Sequence, residues 1–534
     1  KLMIKVYISL QRIQTFLMAV PRLKEMLGAN VLLAETVRGD LTELVQKQAI
    51  ALSAIDSTQL KGHEYISDLE RKDPLNSCEL EYQDKLIDLF NQTGVLQRDG
   101  GHFSAVFEDE SQAKIFIEKA KQTLEQNLPG ILYQITLQDL ESNNSELLNT
   151  TNVASLIDLP FLQVCQETGN GSANKKGNRT VWINDSVQMR ATASKKLKQG
   201  NSSDIVGLLS KQLTKYGQQP DDFEQLCAGE YMAVIHADGN NMGDRGAKWR
   251  QQAIDEHGEN TIMASLQEEL LYYQMRVEVR AAVMRALEIC FKPQEIAPFQ
   301  ILMLGGDDLL LVCQAKKALP FVRAYAQALE DAGSLMDNKG PLGIGAGVVI
   351  ASHSLPFHYL HHLAESLADS AKTLYHQKQN SSLSVVDWMV CSASWSDDPI
   401  KLRQQTDFIE YSVDGKHETL VLSGKPYPVL KADEAGLNSL ESLLEAADTL
   451  IENEKVARSQ LRYLDEQLKM GKRHADLCFQ SMPETTRDIL KALLPQEKIW
   501  HKYDDNTFIT AFADLVELYE IPSLKSAKDN RKES

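Results

Sequence analysis

Two aspartates stand side by side in Gly305-Gly306-Asp307-Asp308, between the apolar runs Ile301-Leu302-Met303-Leu304 and Leu309-Leu310-Leu311-Val312. Glycine and aspartate suit a tight hairpin turn, but a turn does not ask for two adjacent carboxylates between wholly apolar arms. Neighbouring like charges raise each other's pKa unless a cation lies between them. Two readings are open: an exposed turn with two solvated acids, or a divalent-metal site at the end of a rigid hairpin. A second segment favours the metal. Tyr231-Met232-Ala233-Val234-Ile235-His236-Ala237 reads as a buried strand that runs into Asp238-Gly239-Asn240-Asn241-Met242-Gly243-Asp244-Arg245-Gly246. An acid at the exit of a buried strand can bind Mg²⁺ or Mn²⁺, and glycines in the turn that follows let backbone N–H groups approach phosphates.

The elements around these residues have to bring them together. Met263, Leu266, Leu270, Met275, Val279, Val283 and Leu287 recur mostly at three- and four-residue steps and predict a helix from about Asn260 to Phe291. Leu319 to Ala332 reads as a helix, Leu342 to Ala351 as a Gly-interrupted strand, and His358 to Gln377 as a helix carrying Lys372 near its end. Strand–helix–hairpin–helix–strand is a split β-α-β unit of ferredoxin-like type. In that topology Asp238 and the hairpin tip fall on adjacent strands, where three carboxylates can share two metals about 3.5–4 Å apart.

Ala237-Asp238-Gly239-Asn240-Asn241-Met242-Gly243 followed by Gly305-Gly306-Asp307-Asp308 resembles the catalytic palm of the large polymerase/cyclase subunit of type III CRISPR effector complexes. Such palms are related to diguanylate and adenylate cyclases and to family-B-like polymerases. The family's usual first motif is Asp-Gly-Asp-x-Met-Gly, and Asn240 stands where the second Asp is common. That removes a charge near the phosphates and leaves the metal-ligand position, Asp238, intact. The resemblance extends to the start of the chain. Ile13-Gln14-Thr15-Phe16 and Arg22-Leu23-Lys24-Glu25-Met26-Leu27-Gly28-Ala29-Asn30 look like the family's first palm. There Gly100-Gly101-His102-Phe103 takes the hairpin position, followed by a strand from Ser104 to Phe107, a helix from Ser111 to Asn127 and a strand from Ile131 to Leu137.

The expected fold is α+β, with two ferredoxin-like palm domains of cyclase/polymerase type at 1–145 and 228–395. A small linking domain at 146–227 and a mainly helical C-terminal domain at 396–534 complete it; family members carry a helical domain there that packs on neighbouring subunits. No acid stands at the tip of the first hairpin, so the first palm is expected to be a silent partner that shapes the pocket. Many relatives begin with a His-Asp phosphohydrolase domain. This chain has no His-Asp dipeptide and starts at the first palm, so DNA cleavage by such a domain is not expected. Cys165 lacks a Cys-x-x-Cys partner, so no four-thiolate zinc ribbon is expected between the palms.

The chemistry that the resemblance implies is metal-dependent nucleotidyl transfer with ATP as substrate. Two ions, Mg²⁺ or Mn²⁺, held by Asp238, Asp307, Asp308 and the carbonyl of Gly239, would activate a ribose hydroxyl and stabilise departing pyrophosphate. Gly239, Asn240, Asn241, Gly243, Gly305 and Gly306 would surround the nucleotide. Lys372 resembles the lysine that related cyclases aim at the triphosphate, with Arg245 and Lys248 as weaker candidates. The implied products are cyclic oligoadenylate messengers of antiphage defence. They would be made when target RNA pairs with a guide RNA held through other protein subunits of the complex. A stand-alone cyclic-nucleotide synthase, a different nucleotide reaction on the same palm and a catalytically silent scaffold are the alternatives.

Composition sets outer limits. The 534 residues suffice for three or four domains, and 43% hydrophobic with 24% charged residues is ordinary for a globular protein. No stretch approaches the roughly 18 apolar residues of a membrane helix. Cysteines at 78, 165, 227, 290, 313, 391 and 478 form no disulfide framework and suit a reducing cytoplasm. With 56 Lys and Arg against 74 Asp and Glu, the net charge of −18 argues against a free-standing, non-specific nucleic-acid binder. A subunit whose RNA is held by other chains stays open. Glu141 to Asn152, Thr168 to Arg179 and Lys525 to Ser534 read as loops or linkers. Lys195-Lys196-Leu197-Lys198 reads either as a solvated helix face or as an RNA contact.

Overall fold

The computed structural model describes residues 3–46, 55–77, 85–140, 145–146, 152–153, 159–177, 181–198, 209, 212–259, 261–377, 384–391, 398–413, 416–431, 436–453, 455–494, 496 and 498–525. Near the start, the alternation Ile4-Lys5-Val6-Tyr7-Ile8-Ser9-Leu10 produces a two-faced strand, Ile4–Gln11. Its odd-step residues Ile4, Val6, Ile8 and Leu10 are buried in one core with Phe116, Ala120 and Leu124 of helix Glu110–Asn127. Lys5, Tyr7 and Ser9 occupy the opposite face. The strand pairs antiparallel with His102–Phe107 on one side and Leu132–Asp139 on the other, and Val95–Gln97 extends the sheet beyond His102–Phe107.

The second palm repeats this order. Met232–Gly239 lies between Asp308–Gln314 and Ile344–Ala351, antiparallel to both, and Phe299–Gly305 pairs beyond Asp308–Gln314. Val385–Cys391 adds a parallel strand to Ile344–Ala351, and Tyr427–Pro428 pairs antiparallel beyond it. Ala233, Ile235 and Ala237 pack with helices Ile262–Cys290 and Ala315–Asp331, whereas Met232 and Val234 pack with helices Leu23–Ala34 and Phe357–Gln377. Coverage of both faces is why these strands read as continuous apolar runs. At Gly347 a Cβ would lie 1.9 Å from the carbonyl oxygen of Ala364, so the helix bearing Lys372 sits directly on the strand backbone.

The two halves share an irregularity as well as a topology. The register jumps between Ile301 and Met303, opposite Leu311 and Leu310, and between Val95 and Gln97, opposite Ala105 and Ser104. A shift of 206 residues carries Val95 onto Ile301 and Ala105 onto Leu311. A shift of 229 carries Ser9 onto Asp238 and Arg12 onto Asn241, two left-handed residues (φ 52° and 59°) that each open a helix. The internal repeat is therefore a repeat of backbone, bulge included.

Several boundaries differ from the sequence reading. The helix expected from Leu319 begins at Ala315, with Pro320 inside it, because Gln314 is extended and hands the chain straight from strand to helix. Gly305 pairs with Asp308, so the hairpin loop is the two residues Gly306-Asp307 and not four. The C-terminal region contains helices Leu440–Glu452, Arg458–Lys469, Lys472–Ser481, Glu484–Leu493 and Phe512–Glu520. A small sheet was not foreseen there; it runs Phe408–Val413, Lys416–Val421, Thr507–Ile509, His501–Lys502. Thr168 to Gly177 includes the strand Lys175–Lys176, paired with Trp182–Ile183. Residues 178–180, 526–534 and most of 141–152 lie outside the described residues.

Helix Asp185–Lys198 carries the lysine run and packs across Leu23–Ala34 at Gly28, where a Cβ would meet the Arg190 carbonyl oxygen at 1.8 Å. Lys196 pairs with Glu35 at 2.9 Å, which fits the reading of a solvated helix face. Asn30 donates to the Leu302 carbonyl at 2.5 Å and ties the first palm to the second hairpin.

Candidate active site

Asp238 closes its strand beside Asp308, which opens the neighbouring one. Gly306 takes φ 65°, the left-handed conformation a two-residue hairpin with glycine first requires, and Asp307 completes the loop. Oxygens of Asp238, Asp307 and Asp308 all lie within 4.8 Å of one another, the one such group of three among the described residues. Three hard carboxylate oxygens on rigid backbone fit Mg²⁺ or Mn²⁺. Lys372 reaches the group from its helix and contacts the Asp238 carboxylate directly.

The electrostatics agree with a cation site. Burial, then the Asp238 charge, pushes Asp307 up to about 7 and Asp308 up to about 8. Burial acts on Asp238 in the same sense, but Lys372 and hydrogen bonds with Asp308 and Asp307 bring it below the ordinary carboxylate range. The metal-free fold thus binds more protons than the unfolded chain between about pH 4 and pH 8, and stability attached to these groups falls as pH rises through that window. In melts with EDTA, the advantage of Asp307→Asn with Asp308→Asn over the wild type is expected to grow from pH 4 to pH 8. Mn²⁺ should raise the wild type alone and narrow the gap. A gap independent of pH, with Mn²⁺ acting equally on both proteins, would contradict this.

The other sequence-derived residues divide into two sets. A Cβ on Gly239 would lie 2.7 Å from Oδ2 of Asp307, so glycine is needed there for the carboxylates to converge. Asn240 donates its backbone N–H to the Gly343 carbonyl at 2.8 Å, and Asn241 is the left-handed residue before helix Met242–His257. The turn expected over Asn240 to Gly246 is therefore the two residues Asn240-Asn241, and Gly243 lies in the first helical turn with open space beside it. Unpaired N–H groups of a first helical turn suit phosphate oxygens. A Cβ on Gly305 would touch Cα of Gly100 at 4.0 Å, so the two hairpins meet there.

Arg245 is a correction. It is buried in an ion pair with Asp337 at 2.7 Å and donates to the carbonyls of Gly340 and Pro341, which fixes that loop instead of facing the site. Lys248 is exposed on the same helix. Gly246 accommodates the hydroxyl of Tyr272. Sequence reasoning missed the paired imidazoles of His236 and His361, 5.6 Å apart and edge-on, with His236 two residues before Asp238 on the same strand. Burial lowers both, His361 to about 3.

The first hairpin cannot copy the acids. His102 donates its N–H to the Asp99 carbonyl, which makes Asp99 the counterpart of Gly305, Gly101 that of Asp307 and His102 that of Asp308. Gly100 and Gly101 are both left-handed, and a Cβ on Gly101 would run into Cδ1 of Ile13 at 2.0 Å. Ser9 stands in the place of Asp238. His102 Nδ1 lies 2.6 Å from the Tyr7 hydroxyl.

A cavity of about 830 Å³ opens between the polar face of the first sheet and the second hairpin, with Lys5, Tyr7 and His102 on one side and Tyr272, Arg276 and Asp307 on the other. Another, of about 500 Å³, lies across the hairpins between Ile13, Gly101 and Gly305. Both reach Asp308, and each is within the size range of small-molecule sites.

Residues 231–382 match the family described as Cas10/Cmr2, second palm domain. This segment is a Cas10-like palm. Among solved structures, the chain resembles the Csm1-Csm4 cassette in complex with cA3, at 11% identity over 97% of this chain and 69% of that chain, with a TM-score of 0.48. The cassette in complex with cA4 matches at 11% identity over 98% and 69%, with a TM-score of 0.45. The cassette in complex with AMPPNP matches at 11% identity over 70% of this chain, with a TM-score of 0.37; there the match spans about half of that chain, 53%. No curated protein matches the sequence. No helix among the described residues is long and apolar enough to cross a membrane.

Proposed function

We propose that this chain is a metal-dependent nucleotidyl transferase that joins adenylates from ATP and closes them into cyclic oligoadenylates. It would do so as the palm-bearing subunit of a type III CRISPR effector complex in the cytoplasm, switched on by target RNA. The observation that carries this reading is the convergence of Asp238, Asp307 and Asp308 on a palm that matches the Cas10/Cmr2 family. The proposed division is a silent first palm at 1–145, a linking unit at 146–227, the catalytic palm at 228–395 and a C-terminal unit at 396–534.

Asp238, Asp307, Asp308 and the Gly239 carbonyl would hold the ions. Bound there, Mg²⁺ or Mn²⁺ supplies a Lewis acid that makes a ribose hydroxyl nucleophilic and offsets charge on the triphosphate. The N–H groups at the start of helix Met242–His257 and the Lys372 ammonium would bind triphosphate oxygens, with Lys372 passing from Asp238 to the nucleotide. Gly305 and Gly306 keep the hairpin narrow enough for close approach. Asn240 and Asn241 set the turn that presents those amides. A second ATP, bound against the first palm in the larger cavity, would offer its hydroxyl across the hairpins. The net charge of −18 supports contact with guide and target RNA through other protein subunits.

Isolation of the tagged chain from its host, with RNA extraction and ATP turnover measured with and without added target RNA, tests this reading. Short uniform RNAs, several partner proteins and target-dependent product are expected. A monomer or homodimer making cyclic nucleotides unaided would put a stand-alone synthase in its place, and the absence of product under all conditions would leave a silent scaffold.

A further inference from the structure

The first hairpin keeps one acid that the metal cluster does not use. Asp99, at the position equivalent to Gly305, is 6% exposed. Its carboxylate pairs with Arg38 and lies 3.7 Å from Nε of Arg276, and Arg276 in turn donates to Glu269 at 2.6 Å. Arg38, Arg276 and Glu269 are buried to about the same degree as Asp99. Arg38 and Asp99 belong to the first palm, while Arg276 and Glu269 lie on the long helix Ile262–Cys290 of the second. The chain of charges therefore crosses from one palm to the other. It ends one residue from Gly100, at the point where the two hairpins touch.

The same side chains divide the two cavities. Arg38 and Asp99 line the smaller one; Asp99, Glu269 and Arg276 line the larger. Buried ion pairs are a weak way to add stability, because desolvation offsets most of the attraction and apolar side chains hold as well. What directional, charge-assisted pairs supply is a fixed geometry. Here that geometry is the spacing between two glycine hairpins, one bearing the carboxylates and one bordering the cavity opposite.

We propose that Asp99, Arg276 and Glu269 are positioning residues. They set the two hairpins so that an acceptor nucleotide held against the first palm lines up with the triphosphate at Asp238, Asp307 and Asp308. The inference rests on the nucleotidyl-transfer reading above. Misalignment costs rate far more than affinity, and displacements near 1 Å cost about a hundredfold.

The test uses the full chain isolated with its partners, supplied with ATP and Mn²⁺. Asp99→Asn preserves shape and removes the charge; kcat is expected to fall about thirtyfold or more with KM for ATP within about threefold. Asp99→Glu should recover part of the rate, and Glu269→Gln should lower kcat in the same sense. Glu269→Gln also serves as the reading if Asp99→Asn does not fold. Mn²⁺ affinity should match the wild type, because the metal-binding acids are untouched. Independently of turnover, backbone amides at 99–103 and 305–308 should exchange faster with deuterium in both variants. Wild-type kcat together with wild-type exchange would overturn the proposal, as would a fall in kcat matched by a rise in KM. A wild-type complex that makes no product would overturn the nucleotidyl-transfer reading instead, while the exchange measurement still decides whether Asp99 joins the hairpins.

Discussion

Replacing Asp307 and Asp308 together by alanine is expected to reduce nucleotide joining by about a thousandfold or more, with no loss of thermal stability. Two of the three carboxylates that converge at the hairpin disappear, leaving Asp238 paired with Lys372 and no site for a divalent ion. Metal charge stabilisation contributes several kcal/mol to such transition states, and each 1.36 kcal/mol is a factor of ten in rate. Stability should hold because the acids are held against their charge: burial, then the Asp238 charge, pushes both above the usual carboxylate range. Neither belongs to the apolar core, whose neighbouring members are Leu304 and Leu309. Product mass spectrometry and a melt on the same preparation check both halves. Wild-type turnover in the double variant would remove the site assignment.

Gly239→Ala should be nearly as damaging through a single methyl group. The backbone at Gly239 is not left-handed, so alanine is allowed there by conformation. The obstacle is spatial, with Asp307 Oδ2 at 2.7 Å and Asp307 Cβ and Met242 Cγ both at 2.8 Å from the added carbon. Backbone on both sides is locked into the sheet and a helix start, so Asp307 has to give way. A displacement of that carboxylate by about 1 Å costs on the order of a hundredfold in rate, whereas overpacking at one position costs about 1–3 kcal/mol of stability. Turnover and Mn²⁺ affinity should both fall in a protein that still melts cooperatively. Unchanged Mn²⁺ affinity would show that Asp307 does not need its present position.

The acids were legible because the sequence around them is so apolar: Asp307 and Asp308 interrupt two strands that bury nearly every residue. The second palm followed from the same contrast between continuous apolar strands and a helical repeat. Lys372 was legible as a residue at the end of a helix, but its contact with Asp238 was not, since 134 positions separate the partners. Arg245 misled for the same reason. A cation close behind a glycine motif resembles a phosphate ligand, and only the folded chain brings Asp337 to it.

The first hairpin shows another limit. Matching glycine to glycine sets Gly100-Gly101 on Gly305-Gly306, whereas the bulge and the closing hydrogen bond set Asp99 on Gly305. Strand register is decided by side-chain packing across the sheet, and a pair of glycines carries none of that information. The alternation from Ile4 to Leu10 was the available signal that the first sheet has a polar face, and that face now borders the larger cavity.

Asp238, Asp307 and Asp308 are proposed to form a metal centre that joins nucleotides. The most direct measurement supplies the isolated assembly with each ribonucleoside triphosphate in turn, with Mn²⁺ and with EDTA, and weighs the products. Adenylates joined by phosphodiester bonds, with one pyrophosphate released per bond, are expected from ATP with Mn²⁺ and absent with EDTA. Phosphodiester products that persist in EDTA, or that the Asp307→Ala with Asp308→Ala assembly makes as well as the wild type, would contradict it.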